Sequence, residues 1–128
     1  MQIKNLNALL KEANEIVQLL SFEDSINLIS NTSTLIIDVR EESEVYDHGM
    51  IKNAIHIPRG LLEFTLIPDS PTNPVTIDDE TNILVYCAGG YRSALAAKTL
   101  IDLGFKNVFN LGGFKDWVES GGEIQPKV

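Results

Sequence analysis

The chain reads as an α/β domain built on a parallel sheet. Three observations predict this. Short apolar runs alternate with helical patterns through most of its 128 residues. Polar or glycine-rich residues follow the end of each run. The single cysteine, Cys87, falls between one such run and an amphipathic helix. In open α/β sheets ligands bind beyond the C-terminal ends of the strands, so Asp38-Val-Arg40, Pro58-Arg59, Cys87 and Gly112-Gly113 are expected along one edge.

The elements follow in order. Ile3, Leu6, Leu10, Ala13, Val17 and Leu20 step by three and four, and Leu9, Ile16 and Leu19 widen the stripe, which predicts one helix of about five turns over 1–20. Its spacing would suit a dimer seam but covers fewer than the roughly three heptads a coiled coil needs, so it is expected to pack on its own domain. Ser21, with Asp24 three residues on, reads as the N-cap of a second helix running to about Ile29. Leu35 to Val39 is an apolar strand, Glu41 to His48 a short acidic helix closed by Gly49, and Ala54 to Ile57 a strand stopped by Pro58. Leu61 to Phe64 suits one helical turn. The stretch 65–82 holds Pro68, Pro71, Pro74, Asp78, Asp79 and Glu80 and reads as a long acidic loop.

Asn82 to Tyr86 then gives a buried strand. Ala96, Ala97, Leu100, Ile101 and Leu103 keep helical spacing up to Gly104, a C-cap glycine. Asn107 to Leu111 is a last strand, Gly112-Gly113 a turn and Phe114 to Ser120 a final helix. The division expected is an N-terminal helix over 1–20, a domain over 21–122 and a tail over 123–128.

Composition narrows the function classes. Apolar residues make up 44% and charged residues 22%, as in an ordinary globular domain. The net charge of −8 argues against a nucleic-acid partner, which requires a basic face. No apolar run has the length to span a bilayer, and the N-terminal segment lacks the pattern of a signal peptide, so the cytoplasm is the expected location. One cysteine excludes an internal disulfide and a cysteine-rich metal site.

Chemistry concentrates at Cys87. Between strand and helix lies only Cys-Ala-Gly-Gly-Tyr-Arg, whose glycines let the backbone turn sharply and aim N–H groups inward, while the helix start adds partial positive charge. A free thiol has a pKa of about 8.5, and helix N-termini with nearby cations bring it to roughly 3.5–7.5. Cys87 is therefore a candidate nucleophile rather than a small core hydrophobe. Arg92 is its expected cation, with an ion pair to an acidic side chain as the alternative.

These segments resemble the rhodanese family, specifically its single-domain sulfurtransferases. The likeness covers about 21–122 in the family's order: Asp38-Val-Arg40, Gly49 through Ile57-Pro58-Arg59, Cys87-Ala-Gly-Gly-Tyr-Arg92-Ser93, and Gly112-Gly113-Phe114 with Trp117. The resemblance implies a three-layer fold, a central parallel sheet of about five strands with helices on both faces. It implies no cofactor and no metal, and Cys87 as a carrier that takes sulfane sulfur from a small anionic donor such as thiosulfate. The resulting persulfide passes sulfur to cyanide in an assay, or to a thiol or protein in the cell, by double displacement. Ala88, Gly89, Gly90, Tyr91, Arg92 and Ser93 are then the cradle, with Arg92 offering its fork to a sulfonate.

Around the cradle, Arg40 and Arg59 are candidates for further cations, with pairing to Glu41 or Glu42 and capping after Pro58 as their alternatives. Asp38 is expected to be a structural acceptor, Gly112 and Gly113 to permit close packing beside the loop, and Trp117 to be core. His48 reads as a solvated helix-end residue and His56 as structural. Two positions depart from the family pattern: Met50 replaces His or Arg, and Asn53 replaces Gly at a turn where Asn tolerates left-handed backbone.

The rival enzyme class, cysteine phosphatases and arsenate reductases, resembles a Cys-x5-Arg loop, and Cys87 to Arg92 is the smaller Cys-x4-Arg. A protein-to-protein sulfur relay and a non-catalytic binding module remain alternatives. The chain is expected as a monomer or homodimer.

Overall fold

The computed structural model describes residues 1–127. Five strands form a parallel sheet in the order β1-β6-β5-β2-β4: β1 Gln18–Leu19, β2 Thr34–Asp38, β4 Ile55–His56, β5 Asn82–Cys87 and β6 Asn107–Gly113. A two-stranded antiparallel ribbon joins β3 Met50–Ile51 to β7 Ile124–Gln125. The helices are α1 Leu6–Ile16, α2 Phe22–Asn31, α3 Glu42–His48, α4 Leu62–Leu66 (entered through a 3-10 turn, Arg59–Leu61), α5 Tyr91–Leu103 and α6 Phe114–Glu119.

Strand alternation sorts the core into two halves. Ile83, Val85 and Cys87 of β5 face one way with Ile37 and Val39, where Val17, Leu62, Leu66, Ala96, Ala97 and Leu100 cover them. Leu84 and Tyr86 face the other way with Ile36, under Val45, Leu111, Phe114 and Trp117, joined at the margin by Phe22 and Leu28. α1, α4 and α5 thus cover one face and α2, α3 and α6 the other, the three-layer arrangement expected. At full burial, side chains of this size contribute roughly 1.5–3 kcal/mol each.

Local chemistry sets the ends of the helices. Ser21 accepts the N–H of Asp24 at 3.1 Å. Glu41 and Glu44 form a reciprocal capping box on α3. Gly104 closes α5 at φ 109°, and the Phe105 N–H reaches the Leu100 carbonyl at 3.1 Å. Asn53 adopts φ 68°, the left-handed turn read from its sequence.

Three readings need correction. The predicted helix over 1–20 ends at Ile16, and Val17 turns extended so that Gln18–Leu19 pairs with β6. Val17 and Leu20 stay buried beyond the helix end, at 4% and 7% exposed, so the apolar spacing continues past the helix while the open edge of β6 claims the backbone. The tail over 123–128 contains β7, and beside it the Glu123 carbonyl accepts the Lys52 N–H (3.1 Å) while Gln125 Oε1 accepts the Asn53 N–H (3.0 Å). Gly112-Gly113 continues β6 instead of turning. The register slips by one residue, with Val85 opposite Asn110 but Tyr86 opposite Gly112, and Gly112 takes φ 105° at this bulge.

Candidate active site

Cys87 ends β5 and is 1% exposed. The chain then turns through Ala88 and Gly89 to Gly90, whose φ of 93° caps α5 without a side-chain cap. That conformation aims the Gly90 N–H at Cys87 Sγ (3.1 Å), and the first turn of α5 adds the Ser93 N–H (3.4 Å) and the Ser93 hydroxyl (3.4 Å). Burial pushes the thiol up, but the Ser93 hydroxyl and the N–H groups of Ser93, Gly90 and Gly89 outweigh it and hold Cys87 below its ordinary value. Hydrogen bonds to the charged form thus carry the activation.

β6 backs this loop at close range. A Cβ on Gly113 would stand 2.6 Å from the Ala88 carbonyl oxygen and 3.2 Å from Gly89 Cα, so only glycine fits. Just before the bulge, Asn110 is 3% exposed and bonds in three directions. Its Oδ1 accepts from the Ser93 hydroxyl (2.7 Å) and the Gly112 N–H (2.9 Å), and its Nδ2 donates to the Gly90 carbonyl (3.0 Å).

Arg92 is placed differently from the open fork expected. Its Nη1 and Nη2 donate to the two carboxylate oxygens of Glu44 on α3, at 2.7 and 2.9 Å, with the side chains 38% and 30% exposed. Glu44 in turn is held below the usual carboxylate range, first by Arg92, with burial opposing. Arg92 stays charged chiefly through Glu44, against burial, and Cys87 adds to the effect. The guanidinium therefore stands beside the loop with its charge answered.

Arg40, at the inner wall of the groove beside Ala88, is committed to a buried ion pair. It is 2% exposed, donates through Nε and Nη2 to the fully buried Asp38 (2.7–3.2 Å) and through Nη2 to the Gly49 carbonyl (2.6 Å), and lies 4.3 Å over the Phe114 ring. Burial works against its charge, and the Asp38 carboxylate more than restores it. Asp38 also accepts the Arg40 N–H (2.9 Å) and the Tyr86 hydroxyl (2.5 Å), while that hydroxyl accepts the Ile51 N–H (2.9 Å). Burial, then the charge of Asp38, pushes the Tyr86 phenol up, so it stays neutral. Arg59 likewise departs from expectation: it bonds Glu63 (3.1 Å) and Thr99 (3.0 Å), bracing α4 against α5 instead of joining the loop. His56 Nε2 bonds the Arg40 carbonyl at 2.7 Å, which fixes the strand end.

Sequence reading missed Glu44, Tyr86 and Asn110. Glu44 carried only a capping-box signal, and Tyr86 read as one more apolar strand position. Asn110 had a usable signal, a lone amide in the otherwise apolar strand Val108-Phe109-Asn110-Leu111.

An open groove of about 610 Å³ runs past Ala88, lined by Phe114, Val118 and Ile124 with Glu44, His48 and Lys115 among its polar groups. A second pocket, about 340 Å³ between Ile77, Ile83 and Phe105, lies at the opposite edge of the sheet, far from the cysteine loop.

Residues 21–120 match the family model described as the rhodanese-like domain. The chain belongs to the rhodanese family. This rhodanese is 33% identical over 123 residues to a Schizosaccharomyces pombe protein provisionally named as a mitochondrial thiosulfate sulfurtransferase, covering 87% of this chain and 82% of that one. It is 35% identical over 91 residues to the tRNA uridine(34) hydroxylase of Yersinia enterocolitica, spanning 70% of this chain and only a quarter (25%) of the hydroxylase. Among solved structures it resembles the polysulfide-sulfur transferase homodimer of Wolinella succinogenes, with TM-score 0.74 and 35% identity over 94% of this chain and 86% of the other. It also resembles a Rhodopseudomonas palustris protein of unknown function described as a candidate tyrosine phosphatase, with TM-score 0.86 and 37% identity over 98% and 97% of the two chains. The rhodanese fold, five parallel strands between two helical layers, is the one the sequence predicted. No helix among the described residues is long and apolar enough to cross a membrane.

Proposed function

We propose that this rhodanese is a sulfurtransferase whose Cys87 carries sulfane sulfur between a donor and a thiophilic acceptor. The observation that supports it best is the convergence of the Gly90 N–H, the Ser93 N–H and the Ser93 hydroxyl on Sγ. In the first step the Cys87 thiolate attacks the outer sulfur of a donor such as thiosulfate. A bond forms from Sγ to that sulfur, the donor's own S–S bond breaks, and sulfite leaves with the electron pair. In the second step an acceptor thiolate or cyanide attacks the outer sulfur of the persulfide and Cys87 departs as thiolate, so no oxidant or cofactor is consumed. N–H groups fixed by the fold stabilise the anionic sulfur at each stage without reorganising. A lone unpaired cysteine working this way suits a reducing compartment such as the cytoplasm.

The groove beside Ala88 favours one refinement. Phe114, Val118 and Ile124 give it an apolar wall far longer than a small inorganic anion needs, so the acceptor is a thiol borne on a larger body, a protein in the relay version of this chemistry.

Intact-mass measurement tests the reading. Incubation with thiosulfate is expected to add one sulfur atom, removed by reductant and absent in Cys87→Ser. No added mass with thiosulfate, mercaptopyruvate or polysulfide would overturn it. The Cys-x4-Arg loop is tight for a phosphate, so p-nitrophenyl phosphate should survive; Cys87-dependent hydrolysis would move the assignment to the phosphatase class.

A further inference from the structure

We propose that Asn110 decides which way the Ser93 hydroxyl points and, through that hydroxyl, how readily Cys87 becomes a nucleophile. The use of this device rests on the sulfurtransferase reading, while the arrangement of Asn110, Ser93 and Cys87 is independent of any substrate. Ser93 has one hydroxyl proton and two acceptors within reach, Asn110 Oδ1 at 2.7 Å and Cys87 Sγ at 3.4 Å. Asn110 cannot resolve this competition by flipping its amide. Its Nδ2 is committed to the Gly90 carbonyl and its Oδ1 to the Gly112 N–H, at 3.0 and 2.9 Å, so the oxygen must face Ser93.

Two states follow. With Cys87 as a thiol, S–H donates to Ser93 Oγ, which donates to Asn110 Oδ1, and every polar group in the row is satisfied. When the thiol loses its proton, the Ser93 hydroxyl swings from Oδ1 to the thiolate, while Oδ1 keeps the Gly112 N–H. The hydroxyl must therefore break one hydrogen bond to make the other, and Asn110 favours the thiol by the strength of the bond surrendered. The same amide also bonds the Gly90 carbonyl at 3.0 Å, a loop support that Leu and Asp at this position lose alike, so Asn110 acts on the sulfur selectively through the Ser93 hydroxyl. It touches neither sulfur nor substrate and is a positioning residue. The charged groups around Cys87 are the same in both states: Arg92 answered by Glu44 on the α3 and α5 side, and the paired Asp38 and Arg40 with Tyr86 across the sheet. β6 contributes no titratable group beside the loop, since Asn110 is followed by Leu111, Gly112 and Gly113.

Competition predicts opposite shifts from two near-isosteric variants. Asn110→Leu frees the hydroxyl to serve the thiolate and lowers the apparent pKa of Cys87. Asn110→Asp holds the hydroxyl more strongly and raises it by about one unit, a tenfold loss of thiolate at a given pH. Rates of alkylation by iodoacetamide against pH, with thiolate absorbance as a second measure, read this on the free protein. Should Asn110→Leu fail to fold, the Asn110→Asp shift is compared with and without Ser93→Ala. The proposal expects that shift to shrink clearly once the hydroxyl is gone. Upward shifts in both variants, or an Asn110→Asp shift undiminished by Ser93→Ala, would overturn it and make Asn110 merely a loop support. None of these readouts needs sulfur transfer, so a failed persulfide assay with opposite shifts would sink the enzymatic reading and leave this one standing.

Discussion

Arg92 and Glu44, 48 residues apart in sequence, meet in a two-pronged ion pair of 2.7 and 2.9 Å at the rim of the Cys87 loop. The pair couples α5 to α3 and occupies the guanidinium fork that, under the proposed function, an anionic donor would use. It joins half-exposed side chains, so its net contribution to folding is within the range of about 0–1 kcal/mol for surface pairs. Its consequence is for recognition more than for stability.

Replacing Glu44 by Gln should therefore improve the use of small anionic donors. Gln still completes the capping box at this helix position, so α3 is kept while the fork is released from a countercharge. A several-fold lower KM for thiosulfate, with Cys87 reactivity toward a neutral alkylating agent unchanged, is the expected steady-state result. An equal or higher KM would mean that Arg92 does not meet the donor.

The two other arginines of the signature should separate sharply in stability. Asp38→Ala leaves the buried Arg40 charge without its carboxylate and should cost about 3–5 kcal/mol. Arg59→Ala removes a partly exposed pair and should cost less than about 1 kcal/mol. Urea denaturation of both variants checks this, and similar losses would contradict the burial contrast between 2% for Arg40 and 31% for the Arg59 side chain.

Cys87 should confer a pH-dependent stability. Its folded value lies below the usual one because hydrogen bonds favour the thiolate, whereas the unfolded thiol titrates near about 8.5. Between these values the native state binds fewer protons than the unfolded one, so stability from this group is absent below the folded value, grows through the window and is complete above the unfolded value. Denaturation of the protein and of Cys87→Ser should diverge in favour of the parent as pH rises through that window. A constant difference would argue that the thiol is not depressed.

Gly113→Ala should damage the loop from behind. The new methyl would press on the Ala88 carbonyl and on Gly89, both backbone, so relief requires the cradle to move. Overpacking of this kind costs roughly 1–3 kcal/mol, and the displaced N–H groups should slow Cys87 alkylation at neutral pH. Gly60→Ala, which meets nothing within 4 Å, is the control expected to leave both measurements alone.

Much of this protein was determined by its sequence alone, because the deciding interactions are local. Strand parity put Cys87 on one face of β5 and Tyr86 on the other. Ser21, Gly49, Gly104 and Asn53 marked their caps and turns through neighbours a few residues away, and the Gly-Gly turn before α5 announced the cradle. The tertiary structure decided every partnership between distant segments. Apolar spacing could not reveal that Gln18–Leu19 would leave its helix for the edge of β6, or that Ile124–Gln125 would pair with Met50–Ile51, since an open backbone edge recruits strands without regard to local period. Nor could it choose the partners of charges and amides. Arg40 was drawn under Phe114 to the Gly49 carbonyl, Arg59 to Thr99, Arg92 to Glu44 and Ser93 to Asn110, because a buried or crowded polar group bonds the complementary group that strand order and helix packing bring within about 3 Å.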